Sequence, residues 1–201
     1  PGQGLSPQYV DILIGKKSLK NIKKDHPVFQ SDYIKSLEPK STYSFNRPWA
    51  IPVRYHDINT MLDITNPDEI EFHMSYDDLN IDPKKHLRSK YKCGFLVHAP
   101  ELFENDHLLN LCSEDKKYRE LSISYMQKVI DVTLMLKDYF VADPNPRIIV
   151  NCGGFSKNDF LPIKNRQNLY KILADSLSQL DSHNVEIIPQ NMAPYPWHFG
   201  G

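Results

Sequence analysis

Four short stretches of this chain end in side chains that can bind ligands or move protons. Residues 94–101 read Gly-Phe-Leu-Val-His-Ala-Pro-Glu, an apolar run closed by His98 and Glu101. Residues 69–75 end in His73 and Ser75, residues 147–155 carry Asn151, and residues 185–192 carry Gln190 and Asn191. An imidazole near a carboxylate can serve as an acid–base pair or hold a metal ion. His98 and Glu101 are therefore the candidate catalytic residues. Arg54 and His56 follow an apolar run in the same way, and a guanidinium grips phosphate or carboxylate through two parallel hydrogen bonds. Together with His73 they form a set of cations suited to an anionic, sugar-like ligand. Asn151 and Gln190 can hold substrate oxygens as neutral partners, with Asn191 beside them. Residues 190–201 contain two prolines, Trp197 and His198, a stiff loop able to shield a sugar face. Gly153 and Gly154 would let the backbone approach a ligand closely. Cys152 reads as a small buried residue, because no base stands beside it in the sequence.

The elements that must position these residues follow from periodicity. Short apolar runs bounded by polar ends are the mark of strands buried on both faces, as in parallel sheets. Strands are expected over 49–55, 69–75, 94–99, 147–152 and 185–188. Helices are expected over 57–63, 118–139 and 165–182. Leu121, Tyr125, Val129, Val132 and Leu136 fall at helical spacing in the second helix, and Leu169, Ile172, Leu173, Leu177 and Leu180 in the third. Strands alternating with helices imply parallel pairing and right-handed crossovers. The fold class is α/β, with about five strands of a (β/α)8 TIM barrel. In such barrels the chemistry sits at the C-terminal strand ends, where all the candidate residues fall.

Composition sets the remaining bounds. With 201 residues there is room for one large domain and a small module. A net charge of −1 gives no steering toward nucleic acid or an anionic membrane. The three cysteines match no zinc spacing or disulfide framework, which suits a reducing, cytoplasmic setting. No basic, apolar leader follows Pro1, and the missing methionine suggests a piece of a longer polypeptide. Residues 1–36 read as a small module: Ser6-Pro7 starts a helix through Ile14, Gly15 stops it, and Val28-Phe29 forms a short strand. Residues 37–46 are a polar linker, and residues 47–201 are the barrel segment.

Two resemblances sharpen this picture. Pro1-Gly2-Gln3-Gly4-Leu5-Ser6-Pro7, Ile14-Gly15-Lys16-Lys17 and Asn21-Ile22-Lys23-Lys24-Asp25 resemble the end of the antifreeze-like (SAF) domain that closes bacterial sialic acid (nonulosonic acid) synthases. Residues 47–201 are similar to the xylose-isomerase-like sugar phosphate isomerase/epimerase barrels, in the branch fused to those synthases. The motifs are Ile51-Pro52-Val53-Arg54-Tyr55-His56-Asp57, Glu71-Phe72-His73-Met74-Ser75-Tyr76, Val97-His98-Ala99-Pro100-Glu101, Asn151-Cys152-Gly153-Gly154-Phe155-Ser156 and residues 190–201. The resemblance implies isomerisation or epimerisation of an amino sugar or sugar phosphate, with a synthase domain in the same polypeptide. Neither a nucleic acid nor a membrane is an expected partner; a homodimer is compatible with an open sheet edge. A divalent metal is also implied by the family. Against it, Asn151 stands where a histidine ligand is common, and Gln190-Asn191 stand where the glutamate of a Glu-Asn pair would bind. The alternative is a barrel without chemistry, serving as a sugar-binding or scaffolding module of a synthase.

Overall fold

The computed structural model describes residues 4–29, 32–33, 42–88, 90–141, 145–156 and 160–191. The chain forms two compact units, Pro1–Ser41 and Thr42–Gly201. In the first, Pro7–Ile12 is a 3-10 helix rather than an α-helix reaching Ile14. Ser6 holds the N-cap position with extended backbone, but its side chain caps nothing. Gly15 follows with φ +81°, a left-handed turn that glycine adopts without strain. Val28-Phe29 is not a strand; the Leu5 N–H donates to the Val28 carbonyl at 2.6 Å and the Asp32 N–H to the Phe29 carbonyl at 3.0 Å. Asp32 is buried, accepts the Phe29 N–H at 2.8 Å and pairs with Lys20 at 2.7 Å. The hydrogen bond from Lys20 holds its carboxyl below the usual carboxylate range.

The second unit is built on a five-stranded sheet: β1 (Ala50–Val53), β2 (Glu69–His73), β3 (Gly94–His98), β6 (Arg147–Val150) and β7 (Glu186–Pro189). All neighbours pair parallel and in chain order, the arrangement of a partial (β/α) barrel. Among the described residues, three α-helices lie between the strands, α1 (Ile58–Ile64), α2 (Lys116–Lys137) and α3 (Ile163–Ser178), while β2 and β3 are joined through the 3-10 turns Asp77–Asn80 and Pro83–Lys85. A strand turns successive side chains to opposite faces, so the register sorts the residues into two sets. One set is apolar and nearly free of solvent: Ile70, Phe72, Phe95, Val97, Ile148 and Val150 are each at most 1% exposed. Met126, Val129, Ile130 and Leu136 of α2 complete the same core, and Phe140 stacks on Phe95 at 4.4 Å. The other set is mixed and ionic. It runs from the Glu69–Arg147 ion pair at the N-terminal end, through Glu71 and Leu96, to His73 and His98 at the C-terminal end.

Asp115 caps α2 by accepting the N–H groups of Lys117 and Tyr118 at 2.9 and 3.2 Å. The buried stripe of this helix is Ser122, Met126, Val129, Ile130, Val132, Thr133 and Leu136. It is rotated from the expected one: Leu121 is exposed, and Tyr125 turns aside to stack on Phe103 at 4.5 Å. Tyr125 meets there a feature that periodicity does not announce, an antiparallel hairpin of β4 (Leu102–Phe103) and β5 (His107–Leu108) directly after Glu101. Its turn holds Asn105 and Asp106 at φ 57° and 58°, where Asn and Asp are the best tolerated side chains after glycine. His107 anchors the hairpin. Its ring stacks on Tyr118 at 4.1 Å and meets the Ser122 hydroxyl at 2.8 Å.

Two measurements check this packing. Phe95→Ala should cost roughly 3–5 kcal/mol in chemical unfolding, as a fully buried aromatic in a shared core. Burial pushes the His107 imidazole below its ordinary 6.5. The unfolded chain therefore takes up that proton first, so its contribution is complete above the ordinary value and is lost as pH falls through the lowered one. The thermal midpoint should drop on mild acidification, and His107→Gln should flatten that slope while lowering the midpoint at neutral pH.

Candidate functional site

The site forms where the mixed face of the sheet meets its C-terminal edge. His73 and His98 are register partners on β2 and β3. Neighbouring strands lie about 4.8 Å apart, and the two imidazoles accordingly stack, 4.6 Å between centroids and 19° between planes. His98 is buried and both its ring nitrogens are engaged. Nδ1 lies 3.2 Å from the Ala99 carbonyl oxygen, and Nε2 lies 2.9 Å from Gln190 Oε1 just past β7. His73 is half exposed, and its Nδ1 lies 3.3 Å from Glu71 Oε1.

Glu101 and Asn151 form a second pair, the Asn151 amide donating to the Glu101 carboxylate. His98 and Glu101 are thus not hydrogen-bonded to one another; each is held by its own carboxamide. Asn151 is 9% exposed, and its Oδ1 is a buried acceptor with no hydrogen-bond donor among the described residues.

On the other side of His73, a cleft of about 380 Å³ is lined by Pro52, Val53, Arg54, His56, Asp57 and His73. The Arg54 guanidinium donates to Asp78 Oδ2 at 3.0 Å, and the same oxygen accepts the Ser75 N–H and hydroxyl at 2.7 and 2.8 Å. Asp57 accepts the Arg54 N–H at 2.7 Å. His56 is largely exposed, 3.9 Å from Asp57. Asn191 is exposed, whereas Trp197 and His198 lie outside the described residues.

The loop after β6 is clamped rather than open. Asn110 Oδ1 accepts the N–H groups of Cys112 and Gly154, both at 3.1 Å, and the Leu111 N–H donates to the Cys152 carbonyl at 2.9 Å. Gly153 and Gly154 do adopt left-handed backbone, φ 89° and 86°. At Gly153 the close approach is to Asn110, not to a ligand: a Cβ there would stand 2.6 Å from the Asn110 Cα. Burial pushes the Cys152 thiol up to about 12 and that of Cys112 to about 11, so neither supplies a thiolate.

Glu71, Asp78 and Asn110 are the residues that sequence reasoning missed. Glu71 was within reach, since it precedes His73 by two and so shares its face. Asp78 stands three residues after Ser75, the spacing of a capping box. Asn110 carries no comparable signal.

The donor chemistry does not fit a tightly held dication. Among the described residues no three His, Cys, Asp or Glu side chains gather to hold a metal ion. Asn151 has its amide on Glu101 and Gln190 faces His98, and carboxamides are poor anchors for a transition metal.

Residues 60–201 match the sequence profile of the xylose isomerase-like TIM barrel. A solved structure of a D-tagatose 3-epimerase-like protein matches with a TM-score of 0.50 and 19% identity, over 75% of this chain and 55% of its own. The chain thus spans little more than half of that protein. No curated protein matches. Gly153→Ala should be costly, because it combines a strained φ with a backbone clash: roughly 1–3 kcal/mol or more in chemical unfolding. The Asn151 and Gly154 amide resonances should move with it.

Proposed function

The chain belongs to the xylose isomerase-like TIM barrel family, and from that premise we propose that its barrel segment is a sugar isomerase or epimerase acting on an amino sugar or sugar phosphate. The observation that carries this reading is the convergence of His73, His98 and Gln190 on one sheet edge, beside the Glu101–Asn151 pair. These groups can move a proton and hold hydroxyls without a bound metal. The unpartnered Asn151 Oδ1 supports it as well. A buried acceptor left unpaired costs about 1–3 kcal/mol, and a sugar hydroxyl would restore its bond. Arg54 and His56 line the cleft next to His73, where a phosphate or carboxylate would meet the Arg54 guanidinium.

The wider setting rests on the motif resemblance. We read residues 1–36 as the end of an antifreeze-like domain, 37–46 as a linker and 47–201 as barrel, within a cytoplasmic nonulosonic acid biosynthesis protein that carries a synthase domain. Among the described residues, no helix is long and apolar enough to cross a membrane. A sugar-binding barrel without chemistry is the second reading, favoured by the two carboxamides at Asn151 and Gln190.

Both isomerisation and epimerisation by proton transfer exchange a carbon-bound hydrogen with solvent. The test incubates the chain in deuterium oxide with D-tagatose, D-fructose, their phosphates and N-acetylated amino sugars. Deuterium entering the carbon next to the carbonyl is the expected result, read by NMR. Saturable binding without exchange would establish the second reading, and neither binding nor exchange would remove both.

A further inference from the structure

Glu71 has no place in the site as the sequence motifs define it, yet it is the polar partner of the most accessible histidine there. A carboxylate can only accept a hydrogen bond, so at 3.3 Å His73 Nδ1 must be the donor. A ring that carries its proton on Nδ1 keeps the lone pair on Nε2, and that choice is set by the hydrogen bond its other nitrogen makes. His73 Nε2 has no hydrogen-bond partner among the described residues, while His73 itself lines the Arg54 cleft. His98 differs: it is buried, and both its nitrogens are engaged by Ala99 and Gln190. The two stacked rings are therefore not equivalent. One is fixed as a scaffold, and the other is half exposed with an Nε2 that no described residue engages.

We propose that His73 is the catalytic base of this mouth and that Glu71 is its positioning residue. The proposal rests on the isomerase reading and sharpens it to one class of step. Nε2 takes the proton from the carbon next to the sugar carbonyl. The C–H bond breaks, its electron pair moves into the enediolate, and an N–H bond forms. Glu71 faces the resulting imidazolium and stabilises its charge. The same Nε2 returns the proton to the former carbonyl carbon, while a hydroxyl proton shifts between the two oxygens. One base on one face completes that cycle, so the substrate class is an aldose or ketose undergoing 1,2-isomerisation. Inversion at one carbon would require a second acid on the opposite face.

The test separates the dyad from the reaction. Long-range proton–nitrogen spectra of the 15N-labelled 201-residue chain report the His73 tautomer without any ligand. His73→Gln identifies the signals. The wild type should show the Nδ1–H form. Glu71→Ala should shift the ring toward Nε2–H, and Glu71→Gln, whose carbonyl still accepts, should keep Nδ1–H. In deuterium oxide with D-fructose and its 6-phosphate, His73→Gln should slow exchange by roughly 10²–10⁴-fold. Glu71→Ala should slow it by roughly tenfold, less than a fully buried orienting carboxylate supplies. Glu71→Gln should recover part of that loss. An Nε2–H tautomer in the wild type overturns the dyad. So does exchange that survives Glu71→Ala within about twofold, and in that case the isomerase reading stands. Wild-type chain that exchanges no ketose or aldose proton overturns the catalytic role of His73, whatever the tautomer.

Discussion

The register of β2 against β3 is the constraint on which the site depends. It sets His73 beside His98 and Glu71 beside Leu96, while Ile70 and Phe72 face the core next to Phe95 and Val97. Because side chains alternate strictly, a slip of one residue would exchange the two faces of the strand. Glu71 and His73 would then be pressed into a core that is almost free of water, which a buried charge resists by several kcal/mol or more. The apolar face thus holds the polar face in place. The stacked imidazoles inherit their spacing from the sheet itself.

A second layer of constraint comes from the loops. Strand β6 leads into a loop with a glycine pair whose left-handed backbone brings it against Asn110, and Asn110 gathers two backbone amides with one oxygen. Asn151 is the residue before this clamp, so its side chain is delivered to Glu101 by a rigid turn. Glu101 is fixed from its own side, because its carbonyl accepts the Leu109 N–H at 2.9 Å and the hairpin begins at once. The pair is held by two local devices, one on each partner.

The fold was legible because it rests on long runs with clear periods. Five apolar stretches became five parallel strands, with ends displaced by at most two residues from those expected. The positions of His73, His98, Asn151 and Gln190 at strand ends followed from the same runs. What could not be read was pairwise. That Gln190 meets His98 and Asn151 meets Glu101 depends on contacts 92 and 50 residues apart in sequence. Local periodicity carries no such information. The hairpin after Glu101 was hidden for another reason: two-residue strands are too short to show alternation, and its turn uses Asn and Asp in place of the more telling glycine. Phe103 of that hairpin is the ring on which Tyr125 of α2 stacks.

Asp78 has a consequence of its own. Its carboxylate is largely buried and shared among Ser75 and Arg54, so Arg54 enters the cleft as one half of a compensated pair. Seen from beyond a Debye length of about 8–10 Å, the two charges cancel. The cleft should therefore exert little pull on a distant anion, and the Asp57 carboxylate that also lines it adds none. Discrimination would fall to close range, where the guanidinium hydrogens not spent on Asp78 meet the ligand. Such a site sorts sugars by how long they stay rather than by how fast they arrive.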